Sequence, residues 1–443
     1  MNLSRDDFAT DKHGWAELLP ERTPSASTNK ANKLTGAHHV PWLVVGAGLT
    51  GLACARQLAK QHPDDEILLL EARLVGQGAS GRNSGYAVAV SQFPGAFKPD
   101  QMPNFERINR INQAGLDLLR TQVQENLIDC QWHEAGFYHT AADQVSLKEY
   151  AHFLTYLKAL DIAHSALEPS ALQTQLGTAH YQAGVHVHNG ALLQPAALVR
   201  GLAEHLPENV ALYEQTPVLG VHHGTPVTVQ LENATITTDK LMLATNYEAA
   251  KIGFLSRRLI GSTLSGSFTR VLSKPELASL GTLAQWGVLS LHGGGATVRL
   301  TSDHRLCLRN TAEYYGGALL SDQQLAARQT IHRTSFDQRF PQLAHVPFEY
   351  SWSGVEGISR NSTNFFGRQR DNIYLAGGYN GSGVSRGTAF GTALADYASG
   401  GQSALIDDCL ASAPGQWIPP RPLLDIGAAF TVRSRFKGVG LDR

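Results

Sequence analysis

A glycine-rich turn and a downstream acidic residue are the first residues whose types and spacing indicate chemistry. Gly46, Gly48 and Gly51 form a Gly-x-Gly-x-x-Gly motif, and Glu71 lies twenty residues beyond its last glycine. The first glycine permits a tight turn, the second lets the backbone approach a diphosphate, and the third lets a helix pack closely on a strand. Ribose hydroxyls can donate to Glu71, which would repel a 2′-phosphate. The motif therefore predicts a bound dinucleotide other than NADP.

Short elements must hold this motif in place. Residues 39–45 are mostly apolar and stop at a glycine, which predicts a buried parallel strand. Residues 52–60 carry Leu, Ala and Cys at helical spacing, and residues 67–70 form a second apolar strand. Together they predict one βαβ unit with the glycine turn between its first strand and its helix. A glycine turn with only a structural role is the alternative interpretation.

Two further glycine-rich stretches indicate that the cofactor extends beyond one nucleotide. Residues 78–85 read Gly-Ala-Ser-Gly-Arg-Asn-Ser-Gly and follow closely after the ribose-binding carboxylate. A loop there could wrap a second part of the cofactor, and NAD enzymes have no general need of it. Residues 373–377 predict a buried strand that leads into Gly-Tyr-Asn-Gly-Ser-Gly and then a helix. A flexible turn is the alternative for this last stretch.

The combination of these three motifs resembles the D-amino-acid-oxidase-like family of FAD-dependent amine and amino-acid oxidoreductases. The resemblance runs from about residue 40 to about residue 400, and it looks closest to the branch that holds γ-glutamylputrescine oxidoreductase. It implies an α/β fold in which a Rossmann-type FAD-binding domain is discontinuous. An α+β substrate domain with a large mixed β-sheet would be inserted into it.

The resemblance also implies where the chain passes between these domains. Residues 1–38 are expected to be an N-terminal extension in which residues 24–29 form a loop or lid. The FAD-binding domain would comprise residues 39–105, 185–250 and 346–443, the last including a C-terminal tail. The substrate domain would comprise residues 106–184 and 251–345, and residues 105–185 look largely helical.

The motifs and the resemblance together predict the cofactor contacts. By similarity, the backbone of Val218 contacts the adenine end, and Ala244 and Thr245 lie beside the cofactor. Residues 378–383 would bring N–H groups to the pyrimidine edge of the flavin, where preorganised donors stabilise the negative charge of reduction. The predicted cofactor-binding residues are Gly46, Ala47, Gly48, Leu49, Thr50, Gly51, Glu71, Ala72, Arg73, Gly78, Ala79, Ser80, Gly81, Arg82, Asn83, Ser84, Gly85, Val218, Ala244, Thr245, Gly354, Gly378, Asn380, Gly381, Ser382, Gly383 and Val384.

The sequence departs from the family pattern at positions that bear on flavin attachment and on flavin reoxidation. Some family members bind flavin covalently through a Cys near the C-terminal motif or a His in the first glycine loop. Here residues 352–359 contain no Cys, and the loop position reads Arg82-Asn83. We therefore expect noncovalent FAD. Ser382 and Ser385 stand where sarcosine-oxidase-like members carry His and Lys, so the electron acceptor could be oxygen or another molecule.

Glu356 and Ser382 are the two candidate catalytic residues. Aligned on Gly354, Glu356 falls where glycine and D-amino-acid oxidases carry an arginine that binds the substrate carboxylate. A carboxylate there would attract an ammonium and repel a carboxylate. The alternative is a Glu356 that pairs with an arginine or faces solvent. Arg309 would then be the first candidate for a carboxylate partner.

The composition excludes several other classes of protein. Lys+Arg is 37 and Asp+Glu is 38, so a net charge of −1 argues against a nucleic-acid binder that relies on phosphate neutralisation. No apolar run approaches the length of a membrane span, and the N-terminus does not look like an export signal. His186 and His188 lack a third ligand at a telling spacing, so we expect no metal site. The cysteines lack metal or disulfide spacing and suit a reducing, cytoplasmic location; they are Cys54, Cys130, Cys307 and Cys409.

The activity that the resemblance implies is oxidation of the C–N bond of an amine or amino acid. The α C–H would pass as a hydride to flavin N5, and water would hydrolyse the resulting imine. An oxidase or dehydrogenase for glycine, D-amino acids or cyclic imino acids is the nearest alternative. An NAD-linked dehydrogenase and a flavin-binding protein without turnover are alternatives from other classes. The sequence predicts neither the substrate nor the oligomeric state.

Overall fold

The computed structural model of the protein describes residues 13–20, 34–91 and 99–443. The loop expected at residues 24–29 and most of the N-terminal extension lie outside the described residues. The helices are α1 (Gly14–Glu17), α2 (Leu49–Gln61), α3 (Ala79–Arg82), α4 (Met102–Glu125), α5 (Gln144–Ala159), α6 (Pro169–Leu176), α7 (Pro195–Glu204), α8 (Lys274–Ala278), α9 (Asp322–Arg339), α10 (Gly383–Ala398), α11 (Ala404–Leu410) and α12 (Leu423–Phe436).

The strands alternate with these helices along the chain. They are β1 (Gly36–Val45), β2 (Ile67–Leu70), β3 (Tyr86–Val88), β4 (Phe137–Ala141), β5 (His164–Leu167), β6 (Ala183–Val187), β7 (Gly190–Leu192), β8 (Val210–Tyr213), β9 (Gly220–His222), β10 (Val227–Gln230), β11 (Ala234–Leu243), β12 (Leu259–Thr269), β13 (Trp286–Ser290), β14 (Thr297–Leu300), β15 (Leu306–Glu313), β16 (Phe348–Ser359), β17 (Phe365–Arg370) and β18 (Ile373–Gly377).

The first sheet is built around five parallel strands in the order β18-β11-β1-β2-β8. β17 extends it antiparallel beyond β18, and β10 with β9 extends it beside β11. All four residues of β2 are buried, as expected for a strand that is covered on both faces. The helices α2, α4 and α10 pack together in the largest hydrophobic cluster of the described residues. This arrangement confirms the Rossmann-type part of the predicted fold.

The second sheet is the large mixed sheet that the sequence predicted. Its eight strands run in the order β16-β12-β15-β14-β13-β4-β6-β5. The pairing is antiparallel throughout except between β13 and β4, which are parallel. β14 and β15 form an antiparallel hairpin. Helix α9 packs against β12, β15 and β16 on one face of this sheet.

Some of the expected domain boundaries cut through regular elements, and one separates a strand from the sheet to which it belongs. The boundary at 105/106 lies inside α4, and the boundary at 184/185 lies inside β6. The boundary at 345/346 assigns β16 to the FAD-binding domain, whereas β16 pairs with β12 along its whole length in the second sheet. The resemblance assigned this stretch to the cofactor domain, but the hydrogen bonds of β16 belong to the other sheet.

The stretch from residue 105 to residue 185 is less helical than expected. It contains β4 and β5 and the start of β6, in addition to α4, α5 and α6. All five residues of β4 are buried, so β4 lacks the alternation of apolar and polar residues that identifies a half-buried strand. Within the described residues, no helix combines the length and apolar character needed to cross a membrane.

Candidate active site

A cavity of about 1330 Å³ lies between the carboxyl ends of the parallel strands and one face of the second sheet. Its wall includes the residues that follow β1, β2, β11 and β18, where ligands bind in open parallel sheets. The opposite wall comes from β12, β15 and β16. Most ligand pockets measure roughly 300–1,000 Å³, so this cavity has room for a dinucleotide and a small substrate together.

The glycine turn between β1 and α2 is built for a close backbone approach. Gly46 has φ +100°, a left-handed conformation that side chains disfavour. A Cβ on Gly51 would lie 1.7 Å from the carbonyl oxygen of Gly46, so only glycine lets the helix sit this close. A Cβ on Gly48 would lie 2.8 Å from Oγ of Ser80. The three glycines therefore leave the turn without side chains at positions 46, 48 and 51, beside the N-terminus of α2.

Glu71 directly follows β2 and is oriented by the backbone of two loops. Its Oε2 accepts from N–H of Ala47 at 2.9 Å, and its Oε1 accepts from N–H of Arg73 at 2.9 Å. Burial raises the pKa of Glu71 to about 7, although these two bonds and the nearby guanidinium act in the opposite direction. Its remaining lone pairs can accept from ribose hydroxyls, as the sequence predicted.

The second glycine-rich loop lies beside the turn. Oγ of Ser80 accepts from N–H of Leu49 at 3.1 Å, so the loop meets the N-terminus of α2, where a diphosphate would bind. Arg82 is buried and donates from Nε to the carbonyl oxygen of Gln77 at 2.7 Å and from Nη1 to that of Ser353 at 2.9 Å. Arg82 thus lines the cavity and also ties its loop to β16.

An ion pair closes the wall beyond Glu71. Arg73 donates to both carboxylate oxygens of Glu248, at 3.3 Å and 3.1 Å. Burial opposes the charged form of Glu248, but Arg73 and Lys251 hold its pKa below the usual value. Sequence reasoning identified Arg73 but missed Glu248, because nothing local marks their contact.

The N-terminus of α10 is the third part of the cavity wall. Asn380 has φ +51°, and its Oδ1 accepts from N–H of Ser359 at 2.9 Å. The N–H of Gly378 donates to Oδ1 of Asn246 at 2.9 Å. Ser382 precedes the first residue of α10, and N–H groups of the first helical turn have no partner within the helix. They are available to a ligand oxygen.

The substrate-side wall carries both charged candidates from the sequence. Glu356 and Gly354 on β16 face Ser262 and Leu264 of β12, and Arg309 on β15 faces Gly266 of β12. Residues directly opposite in a sheet share a face, and so do residues two or four apart on one strand. Glu356, Gly354 and Arg309 therefore share the face that lines the cavity.

Most of the predicted site residues are brought together, and four are not. Both candidate catalytic residues line the cavity, as do all predicted cofactor contacts except four glycines. Steric crowding explains these four, because a Cβ on any of them would come within 2.8 Å of a neighbouring atom. These four residues are Gly51, Gly81, Gly85 and Gly378, and their assignment as cofactor contacts stays a prediction.

A buried arginine was missed. Arg386 on α10 lines the cavity and donates to Oδ1 of Asn112 at 3.0 Å and to Oγ of Ser91 at 2.8 Å. Burial is the main cause that lowers its pKa, to about 10. The sequence does contain one signal for this residue, because a lone arginine stands among the small and apolar residues of α10.

The residues present fit FAD. The glycine turn at the N-terminus of α2 suits a diphosphate, and Glu71 suits a ribose. The hydroxyl of Thr245 is buried and lacks a partner within the described residues, so it can serve a ligand that covers it. The N-terminus of α10 suits the electron-rich edge of a flavin. No group of three His, Cys, Asp or Glu among the described residues could hold a metal ion.

The fold and this site define a flavoprotein of the class that the sequence resembles. Residues 42–397 match the family described as FAD dependent oxidoreductase, and the chain belongs to this family. It is therefore an FAD-dependent oxidoreductase, and the resemblance drawn from its motifs is confirmed.

Particular relatives agree with this assignment. The chain is 27% identical to the probable oxidoreductase OrdL of Haemophilus influenzae over 80% of this chain and 81% of that protein. It is 26% identical to gamma-glutamylputrescine oxidoreductase of Escherichia coli over 81% of this chain and 83% of that protein. Glycine oxidase from Geobacillus kaustophilus has the same fold, with a TM-score of 0.73, 17% identity and coverage of 85% of this chain and 100% of that chain.

Proposed function

We propose that the protein oxidises the C–N bond of an amine to an imine, which water then hydrolyses. This proposal rests on one observation: Glu356 of the second sheet lines the same cavity as the glycine turn that is expected to bind FAD. A relative is named gamma-glutamylputrescine oxidoreductase, and an amine substrate agrees with that name. A carboxylate on the substrate-side wall favours a cationic substrate.

The reaction needs the amine, the bound flavin, water and a final electron acceptor. The α-carbon loses its hydrogen with both electrons, the nitrogen lone pair forms the C=N bond, and the nitrogen loses a proton. A bound flavin supplies the two-electron acceptor for this step. Water then adds to the imine carbon and releases the nitrogen. Oxygen or another acceptor takes the electrons afterwards.

The wall of the cavity has three tasks in this proposal. Glu356 binds the ammonium group and accepts the proton that the reacting amine loses. The N–H groups at the start of α10, next to Ser382, stabilise negative charge at the cofactor ring. The second sheet covers the reacting atoms, which strengthens each of these electrostatic contacts.

We propose that FAD is bound noncovalently. The cavity wall, as far as the structure describes it, contains no cysteine, and its two histidines are His152 and His292, away from the glycine motifs in sequence. Acid precipitation would then release the yellow colour into the supernatant, whereas colour retained in the pellet would overturn this proposal.

An amino-acid substrate is the second candidate, and Arg309 favours it. Arg309 lines the cavity on the same face of the sheet as Glu356. Their partners on β12 are four residues apart, which is about 13 Å along the strand. Arg309 could bind a substrate carboxylate. The amine remains our first proposal because Glu356 stands beside the turn at Gly381, where a Cβ would be 3.3 Å from its Oε2.

Replacement of Glu356 by glutamine tests the proposal. Loss of a contact worth about 2–3 kcal/mol in the transition state should lower kcat/KM for amines by about 10²-fold. Glu349→Gln is the matched control, because Glu349 is on the same strand, is exposed and bonds to Arg305 outside the cavity. The proposal fails if Glu356→Gln leaves kcat/KM intact, or if glycine or alanine is a better substrate than any amine tested.

Two further proposals concern the cellular location of the protein and the extent of its substrate domain. We propose a cytoplasmic location on the basis of cysteine spacing, and a substrate domain that includes β16 along with residues 106–184 and 251–345. The oligomeric state is left open.

A further inference from the structure

The last part of the chain forms part of the cavity wall. Helix α12 lies beyond residues 42–397, which are the residues that match the family. We call α12 together with residues 437–443 the C-terminal cover. Four residues of α12 line the same cavity as the cofactor turns; they are Phe430, Thr431, Ser434 and Phe436.

The end of the cover is anchored to another part of the cavity wall, the segment at residues 290–295. Asp442 is fully buried, and its Oδ1 accepts from Oγ of Ser290 at 2.8 Å. Its Oδ2 accepts from N–H of Ala142 at 3.2 Å, and its main-chain oxygen accepts from N–H of Ala296 at 2.7 Å. Residues 290–295 themselves line the cavity, so the cover is tied to that wall directly.

A second set of contacts joins this anchor to the helix. The main-chain oxygen of Arg443 accepts from Nη1 of Arg339 at 2.8 Å and from Oγ of Ser335 at 2.7 Å. The guanidinium of Arg443 lies 5.0 Å from the ring centroid of Phe436, within the range of a cation–π contact. The anchored tail therefore restrains the C-terminal end of α12 at the cavity.

Some apolar residues of α12 line the cavity, and others do not. Phe430 is 74% exposed, although it lines the cavity. Leu423 is 61% exposed and Ile426 is 67% exposed, and neither lines the cavity. An exposed aromatic ring at the rim of a cavity gains most from a ligand that removes it from water.

We propose that the C-terminal cover determines substrate specificity and that Phe430 selects amines with an apolar substituent. This inference rests on the proposed function, because it concerns the substrate of that reaction. The ammonium group would lie toward Glu356, and the part of the molecule away from the reacting C–N bond would lie against Phe430 and Phe436. Phe430 is then a specificity-determining residue.

A series of primary n-alkylamines tests this inference on the FAD-loaded protein. For the wild type, kcat/KM should rise with chain length until the chain reaches Phe430. Phe430→Ala should lower kcat/KM for the long amines by about tenfold through KM, because the amine no longer removes this exposed ring from water, and should leave methylamine unchanged. Leu423→Ala is the matched control and should stay within about twofold of wild type for all amines. Equal losses for short and long amines would overturn the inference.

A binding measurement keeps this test separate from that of the proposed function. Quaternary ammonium ions cannot form the neutral amine that oxidation requires. Benzyltrimethylammonium should therefore bind without turnover, and should shift the flavin absorbance at lower concentration than tetramethylammonium does. Phe430→Ala should abolish this difference, and Leu423→Ala should preserve it. The inference is wrong if the two ions bind equally to the wild type or if the difference survives in Phe430→Ala, whether or not any amine is oxidised.

Discussion

The protonation state of Glu71 controls how well this side chain can accept hydrogen bonds. Its pKa is raised to about 7, with burial as the largest cause. Ribose hydroxyls donate more strongly to the ionised carboxylate, so cofactor binding favours the ionised form. By linkage, FAD affinity should rise as the pH rises through 7 and level off above about pH 8.

Titration of the FAD-free protein with FAD at different pH values measures this effect. Between pH 6 and pH 8 the Kd should fall by up to about tenfold, and Glu71→Gln should remove the dependence. For stability of the FAD-free protein the sign is opposite. A raised pKa favours the folded state at low pH, and this contribution of Glu71 is lost as the pH rises toward 7. A pH-independent Kd in the wild type would contradict the role given to Glu71.

Gly48 is the residue at which a side chain should be least tolerated by the cofactor. A Cβ there already approaches Oγ of Ser80 to 2.8 Å, and the rest of a valine would project toward the diphosphate. Gly48→Val should give a folded but colourless protein, with FAD content measured by absorbance after purification. Gly220→Val is the control, because the nearest atoms to its Cβ are 3.9 Å away and it lies outside the cavity. Full FAD content in Gly48→Val would refute the site.

At the scale of elements, α2 and α10 must stay together for the site to exist, because each supplies an N-terminus to the cavity. A Cβ on Gly391 of α10 would lie 2.1 Å from the carbonyl oxygen of Thr50, so glycine permits their close packing. The hydroxyls of Thr50 and Tyr379 are 2.7 Å apart and both side chains are buried. This bond links α2 to the turn that precedes α10.

A double-mutant cycle measures the strength of this link. Thr50→Val and Tyr379→Phe should each lower the free energy of unfolding by roughly 1–3 kcal/mol, because each leaves a buried hydroxyl unpaired. Their coupling energy should be about 0.5–1.5 kcal/mol, as expected for one hydrogen bond. Urea unfolding of the four proteins gives the value. Additive effects would mean that the two hydroxyls do not stabilise each other.

The elements also show which parts of the fold were predictable. The βαβ unit around Gly46 was predictable because its signals are local: a strand, a glycine turn, a helix and a carboxylate follow one another. β4 was not, because a fully buried strand carries no period, and only its neighbours β13 and β6 define it. The resemblance assigned β16 to the FAD-binding domain; its residues Gly354 and Gly357 line the cavity, whereas its hydrogen bonds lie in the second sheet.

The same distinction applies to the site. Glu356 and Arg309 were identified as separate candidates, and the register of β12 with its two neighbours shows that they share a face. Arg82 was predicted to bind the cofactor because a charged group in a loop of small residues suggests a phosphate contact. Arg82 donates hydrogen bonds to Gln77, which is 5 positions away, and to Ser353, which is 271 positions away. The bond to Ser353 was therefore not predictable from the local sequence.

At the scale of the whole molecule, the activity depends on two sheets that meet at one cavity. The parallel sheet supplies the cofactor turns, the mixed sheet supplies Glu356 and Arg309, and α12 completes the wall. Neither sheet alone forms the cavity. A net charge of −1 gives the molecule no strong field, so the preference for cations that we propose would come from the local carboxylate of Glu356.

Anaerobic mixing of the yellow protein with a panel of amines and amino acids tests the central claim most directly. The flavin absorbance band reports electron transfer from the substrate without any assumption about the natural acceptor. We predict that at least one amine bleaches the band and that amines act at lower concentrations than glycine or alanine. A colourless protein would contradict the claim, as would a band that dithionite bleaches but no amine or amino acid does.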